Sequence, residues 1–422
     1  MIDQIQELKK KLYPIHRSLT GEGVRETLKI LSNLIKLNVR EVKSGTNAYD
    51  WKIPKEWNVK EAYAIDPNGK KIFDFEDNNL HLLAYSIPFK GKVNLSTLKK
   101  HLYTLPDQPD LIPFVQSYYN KRWGFATSHD HLKQLMDGEY LINIDTELKD
   151  GLMSYGEYYL PGQIKDEVLF STYTCHPSMG NDNLSGIIVT AILAKIISQI
   201  PNRKYSYRFL FIPETIGSIY YISKNLKNMK KYIKAGFVIT CVGDSGDFSF
   251  LESKDGDTLS DRVALHTLDK MNITHKKYSF LARGSDERQY NSPGVDLPIS
   301  SITRSKYHEY QEYHTSADNY DFITSKCMKE SIDVYKKCVD VLELNQVYRT
   351  KILCEPQLGK RGLYPTLSKK GVKDLTSNMM NVIAYSDGKT DLLTIAEKCN
   401  IGVWDISDIC NALVEKEVLE RL

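Results

Sequence analysis

EVLFSTYTCHPSMGNDNLSGIIVTAILAKIISQI, residues Glu167 to Ile200, reads in three pieces. Val168 to Thr174 is a short apolar, β-rich run, the pattern of a strand buried on both faces of a mostly parallel sheet. Asn183 to Ile200 predicts a helix, with Ile187, Ile188, Ala191, Ile192, Ile196 and Ile200 at the spacing of a buried face. Between them His176 and Asp182 bracket a Gly-containing turn. Open α/β sheets bind ligands just beyond the carboxyl ends of their strands, and this place carries an imidazole and a carboxylate. Taken alone, such a pair is as readily an N-cap and a hydrogen-bonded surface histidine.

The same design repeats on either side. Tyr207 to Ile212 is a second buried strand, with Glu214 just past its end, then Gly217 and a new helix. A third strand spans Phe237 to Val242, with Asp244 at its end. A helix over 259–271, strands at Lys277 to Ala282 and Leu297 to Ile302, and a helix from Ser325 to Leu344 continue an alternating series. Helices over 3–14 and along Val24, Leu28, Leu31 and Ile35 open the chain. Ser44 to His129 is different in texture, dense in aromatics, prolines and turn signals. Short runs such as AYAI, KIFDF, LLAYSIPF, KVNL and FVQSYY mark it as an inserted β-rich domain. YLINIDTEL and GLMSYGEYYLPG read as strands of the α/β domain. The boundaries expected are 1–42 and 136–348 for the α/β domain, 43–135 for the insertion and 349–422 for a linker and a winged-helix-like module.

At 422 residues two or three domains are expected. A net charge of +3 without a basic run argues against a nucleic-acid arm. Seven cysteines with no CxxC pair argue against a disulfide framework and for a reducing compartment. The first sixteen residues lack the apolar core of a signal peptide. The longest apolar stretch, Ile187 to Ile200, is too short to span a bilayer and contains Lys195. These features predict a cytoplasmic protein that does not engage membranes. Residues 371–422 carry five basic and nine acidic side chains, the wrong sign for phosphate neutralisation. The module is expected to contact protein, a partner or a second copy, rather than nucleic acid.

Five polar groups thus gather after strands or in later loops: His176, Asp182, Glu214, Asp244 and His314, the last in EYHTSADNYD. Histidine and carboxylate donors around an open position suit zinc, and a nearby glutamate outside the ligand set can take a proton from water. Each has an ordinary alternative: a first-turn helix residue for Glu214, a loop histidine for His314, turn chemistry within GDSGD for Asp244.

CHPSMGNDNLSG (Cys175 to Gly186), IPETIGS (Ile212 to Ser218) and YHTSADNYDFI (Tyr313 to Ile323) resemble, in order and spacing, three signature segments of the zinc aminopeptidase and carboxypeptidase superfamily. The resemblance implies a phosphorylase/hydrolase-like mixed sheet flanked by helices. RSLTGEGVRETL, AYDWKIPKEW and the terminal module further resemble a bacterial aminopeptidase-like subgroup. That subgroup has an inserted domain of unknown function and a C-terminal winged helix, often in polysaccharide-biosynthesis contexts. Carried over, His176 matches the first metal histidine, Asp182 the bridging aspartate, Glu214 the general base and His314 the last metal histidine. There are departures. Thr215 stands for the second glutamate of the pair, Ser178 for the aspartate that orients the first imidazole, and Thr240 or Cys241 for a further ligand aspartate. Asp244 is a doubtful substitute. Three firm ligands and a water suffice for one catalytic zinc, so one ion is expected and a second site is doubtful.

The expected reaction is hydrolysis of an amide, aminopeptidase-like on a short peptide. Deacylation of an amide on a modified sugar is the alternative within hydrolases. A non-catalytic binding or regulatory protein retaining the fold is the alternative outside them. For substrate contacts the sequence offers Arg283, Asp286, Glu287 and Arg288 of the GSDERQY loop, with Arg304 beyond. Carboxylates there suit an amine, and arginines suit a carboxylate or acidic sugar. Tyr307, His308, Tyr310 and Tyr313 either line the pocket or form a structural cluster.

Overall fold

Every residue of Glu167–Tyr173 is buried in the computed structural model, which describes residues 1–363 and 372–422. This strand lies near the middle of an eight-stranded sheet. In chain order the sheet takes β1 (Asn38–Lys43), β2 (Leu152–Leu160), β3 (Glu167–Tyr173), β4 (Ser206–Ile212), β5 (Ile233–Val238), β6 (Phe248–Leu251), β7 (His275–Tyr278) and β8 (Ile299–Thr303). The spatial order is β1-β2-β4-β3-β5-β8-β6-β7. β3 runs parallel to both β4 and β5, while β2 is antiparallel to β4 and β6 to β8. The chain leaves β3 for a neighbour on one side and returns on the other, so the order reverses at the carboxyl end of β3. That reversal is where open α/β sheets place ligands.

Alternation along the strands sorts two cores. Val168 and Phe170 of β3, Phe209 of β4 and Phe237 of β5 face a layer built from helices Ile2–Leu12, Glu22–Ser32, Gly186–Ser198, Leu259–Lys270 and Ser325–Leu344. Leu169, Leu210 and Val238 face helix Ile216–Tyr232 and the insertion. Phe170 is fully buried, stacked between Phe209 at 5.3 Å and Phe237 at 5.6 Å. Phe170→Ala is expected to cost about 3–5 kcal/mol, measured as a lower midpoint in denaturant unfolding.

The third strand ends at Val238 rather than Val242, so Thr240 and Cys241 lie in the loop beyond it. Lys277–Ala282 is split, with β7 ending at Tyr278 and a short turn over Phe280–Ala282. Glu139–Lys149, which holds YLINIDTEL, belongs with the insertion: it is the inner strand of a four-stranded sheet, between Glu56–Ile65 and Phe89–Asn94. Its alternating Tyr140, Ile142 and Ile144 are buried in the core that the insertion shares with that face of the large sheet. We therefore place the far boundary of the insertion near residue 150. FVQSYY is not a strand; it runs as a loop along the His314 segment, where Phe114 N–H donates to His314 O at 2.8 Å.

The terminal module has helices Val372–Tyr385, Leu392–Cys399 and Val403–Glu415 around a three-stranded sheet centred on Val347–Thr350. The last helix stops at Glu415, and Leu419–Arg421 returns as a strand of that sheet. The linker's last residues, Tyr364 and Pro365, lie outside the described residues. The module packs on the α/β domain. His266 Nε2 accepts from Val403 N–H at 3.0 Å, and Arg262 pairs with Glu397 at 2.7 Å. Among the described residues no helix is long and apolar enough to cross a membrane.

Candidate metal centre and cleft

Beyond β3 the chain makes a wide turn over Gly180–Ser185 before helix Gly186–Ser198 begins. The helix starts later than Asn183 because Asp182 (φ −111°, ψ 82°) and Asn183 (φ −142°, ψ 33°) are not helical. Two glycines let this turn sit tightly. A Cβ on Gly180 would lie 2.3 Å from the Asn319 carbonyl oxygen, and one on Gly186 would lie 2.4 Å from that of Ile239. The first contact seats the turn against the His314 loop. Asp318, four residues after His314, completes the junction. Its carboxylate accepts from the N–H groups of Asn181 at 2.5 Å and Asp182 at 2.9 Å, and its carbonyl accepts from Gly180 N–H.

The distant segments converge. His314 Nε2 lies 2.9 Å from Asp182 Oδ2, and His176 Nε2 lies 3.9 Å from the same oxygen. One donor atom from each of His176, Asp182 and His314 lies within 4.8 Å of the other two. Two imidazoles and a carboxylate are a donor set that zinc takes. Asp182 Oδ1 is engaged by the Tyr173 hydroxyl, which is itself 2.6 Å from Thr240 Oγ1. Burial lowers the pKa of His176 to about 4, so its ring is neutral at neutral pH and its lone pair is open to a ligand. Burial alone would raise Asp182, but the two imidazoles and the Tyr173 hydroxyl hold it down at about 2. Burial pushes Asp318 up to about 7 against the pull of its two N–H bonds.

Glu214 stands two residues past β4, its Oε2 3.9 Å from His176 Nε2. Burial first, then the charges of Asp286 and Asp182, push its carboxyl well above the usual range. Cys175 also lies within donor distance of His176 and Glu214. However, burial drives its thiol well up, and its sulfur accepts the Glu214 N–H; it is a packed neighbour rather than an anionic ligand. Phe114 of the insertion covers the pair of imidazoles, its ring 5.5 Å from His176 and edge-on to His314 at 5.3 Å.

Other expected groups sit elsewhere. Asp244 accepts from Asn181 Nδ2, Gly246 N–H and Ser305 and is in neither donor group; its short side chain serves the turn. Asp286 accepts from Thr215 N–H and Ser218 Oγ. Glu287 accepts from Gly284 and Ser285 N–H and from the Tyr307 hydroxyl. Both are buried braces. Arg283 lies over the Phe280 ring, and Arg304 pairs with Glu330. Tyr313 stacks on His314 at 3.9 Å and meets His308 and Tyr310 in edge contacts. The side chain of this loop that reaches the cleft beside Glu214 is Arg288.

Tyr173, Phe114 and Asp318 do the positioning. Nothing in composition or spacing marks the first two; Asp318 is marked only by its place in HTSAD. Arg17 is a fourth, buried and donating from Nε to the His176 carbonyl at 3.2 Å. Asp318→Asn removes one acceptor from the paired N–H groups. It is expected to weaken metal binding about 10–100-fold, the range for partners that orient a ligand, measured by competition with a chromogenic chelator.

The family described as "Domain of unknown function (DUF4910)" matches residues 6–345, and a winged helix-turn-helix family matches residues 346–421. A Clostridium acetobutylicum protein, named as a candidate polysaccharide biosynthesis protein with an aminopeptidase-like domain, is 43% identical over 421 residues. The match covers 99% of this chain and 96% of that one. The crystal structure of a candidate peptidase from Clostridium acetobutylicum superposes with a TM-score of 0.94 at 41% identity, over 100% of this chain and 96% of the other. A zinc aminopeptidase from Bacillus subtilis shares the fold, with a TM-score of 0.58 at 13% identity over 80% of this chain and 93% of its own. The chain belongs to the DUF4910 family, an aminopeptidase-like α/β fold joined to a C-terminal winged helix.

Proposed function

We propose that this protein is a zinc-dependent hydrolase of an amide bond, with one metal held by His176, Asp182 and His314 and with Glu214 as its general base. The observation that carries the reading is the convergence of those three donors, with the Glu214 carboxylate 3.9 Å from one of them, His176 Nε2. Zinc, when bound, lowers the pKa of its water and polarises the scissile carbonyl. Glu214 accepts a proton from the attacking water and returns it to the amide nitrogen as the carbon–nitrogen bond breaks. Phe114 packs against both imidazoles, of which His176 is buried.

A single ion fits the donors better than two. The second oxygen of Asp182 is taken by Tyr173, and Thr215 Oγ1 accepts from Arg288. Thr240 is bound to Tyr173, and the Cys241 thiol is pushed well up by burial. Metal content near one equivalent per chain is expected after purification without chelator; two would sink the single-ion reading.

The winged helix is read as a packing module. DNA-binding relatives of this motif read base edges with the first turn of the later helix of the helix-turn-helix pair, which here is Val403–Glu415; Val403 of that turn is bonded to His266 and Trp404 lies under Lys337. Seven unpaired cysteines support a reducing, cytoplasmic setting.

The relative named for polysaccharide biosynthesis favours a second substrate class, the N-acyl group of a modified sugar. Aminoacyl anilides assayed beside N-acyl sugars on the zinc-loaded protein separate the two. Turnover of one class, abolished by a chelator and restored by zinc, is expected. Absence of turnover on both, with metal bound, would favour a binding protein that keeps the fold.

A further inference from the structure

The cleft beside Glu214 has a volume of about 200 Å³, walled by Trp51, Tyr118 and Tyr119 of the insertion and by Glu214, Thr215 and Arg288 of the α/β domain. Its charged side chains are Glu214 and Arg288, one of each sign. Arg288 Nη2 donates to Thr215 Oγ1 at 2.8 Å, and its Nε is buried without a partner. Among the described residues it forms no ion pair with a carboxylate, although Asp286 and Glu287 precede it in the chain. Each uses one oxygen on its own neighbours, Asp286 Oδ1 on Thr215 and Ser218 and Glu287 Oε1 on Gly284, Ser285 and Tyr307. The second oxygen of each is buried without a hydrogen-bond partner, and neither residue lines the cleft.

Arg288 acts on Glu214 and Asp286 through space rather than by a direct ion pair. A partly desolvated guanidinium with an unpartnered donor is unfavourable, and its planar fork of donors matches a carboxylate. A free ammonium, by contrast, finds no carboxylate in this cleft except Glu214, the group needed for proton transfer. We propose that Arg288 binds an anionic group of the substrate, so that the substrate is a small amide bearing a carboxylate near the scissile bond rather than a peptide with a free α-amine. The volume falls below the roughly 300 Å³ at which drug-sized pockets begin, which suits an N-acyl amino acid or an N-acylated amino-uronic acid. Trp51 and Tyr119, edge to face at 6.1 Å, supply an apolar flank for the acyl chain or sugar ring. The proposal rests on reading Glu214 as the proton carrier of an amide hydrolase.

The test is calorimetric binding to the zinc-loaded Glu214→Gln chain, which holds substrate without consuming it. N-benzoylglycine is compared with N-benzoylglycinamide, and 2-acetamido-2-deoxyglucuronic acid with N-acetylglucosamine. In at least one pair the acid is expected to bind about 10–100-fold more tightly, the range for a charge-assisted pair. The pair that responds identifies the source of the carboxylate. Arg288→Met is expected to abolish the preference, and Arg288→Lys to keep part of it. Equal affinity within both pairs in the unsubstituted cleft overturns the proposal whether or not the Arg288 variants fold. So does an acid preference that survives Arg288→Met. Acid binding through Arg288 in a wild-type chain that hydrolyses neither acid keeps this inference and removes the hydrolase reading. Hydrolysis of amides with no acid preference does the reverse.

Discussion

Glu214→Gln is expected to lower turnover by about 10²–10⁴-fold, the usual contribution of a positioned general base, while leaving metal content unchanged. The substitution keeps the shape of the side chain, and its backbone N–H keeps the bond to the Cys175 sulfur at 3.3 Å. What it removes is the ability to take a proton. Because the side chain lies 3.9 Å from His176 Nε2 and in neither short contact of Asp182, the three donors should stay where they are. Steady-state kinetics beside elemental analysis checks both halves. Unchanged turnover would remove Glu214 from its role, and lost metal would make it a ligand instead.

The second large effect belongs to His314. His314→Ala leaves His176 and Asp182 as the remaining donors, and zinc affinity is expected to fall at least about 100-fold, the upper end for groups that merely orient a ligand. At a zinc concentration 100 times the wild-type dissociation constant, binding stabilises the native state by about 2.7 kcal/mol. That increment should appear in the wild-type melting curve and shrink to about 0.4 kcal/mol or less in the variant. Tyr313→Phe is the control, since it keeps the ring stacked on His314 at 3.9 Å and should retain the zinc-dependent shift. A zinc-dependent shift of wild-type size in His314→Ala would exclude the imidazole from the site.

Much of this was legible in the chain itself. The buried run Val168 to Thr174 and the helix Ser325–Leu344 follow from apolar pattern alone, because a central parallel strand buries nearly every side chain and the helix buries one periodic face. His176, Asp182, Glu214 and His314 stand at strand ends or in motif loops, and the structure brings them to one edge. The insertion was harder to read. Glu139–Lys149 alternates as any strand does, and only its partners show which sheet it joins. FVQSYY has the composition of a strand, but its backbone is drawn into bonds with the His314 loop. Local pattern also could not say which carboxylates of SDER are free. Asp286 and Glu287 are drawn into the interior by N–H and hydroxyl groups brought from Thr215, Ser218 and Tyr307, each through one oxygen, and the neighbouring Arg288 is left facing the cleft.

Anomalous diffraction at the zinc edge, on crystals grown with zinc and without chelator, tests the central claim most directly. One peak is expected per chain, about 2.0–2.2 Å from His176 Nε2, Asp182 Oδ2 and His314 Nε2. A second peak bridged by Asp182, or zinc bound away from those three atoms, would contradict it.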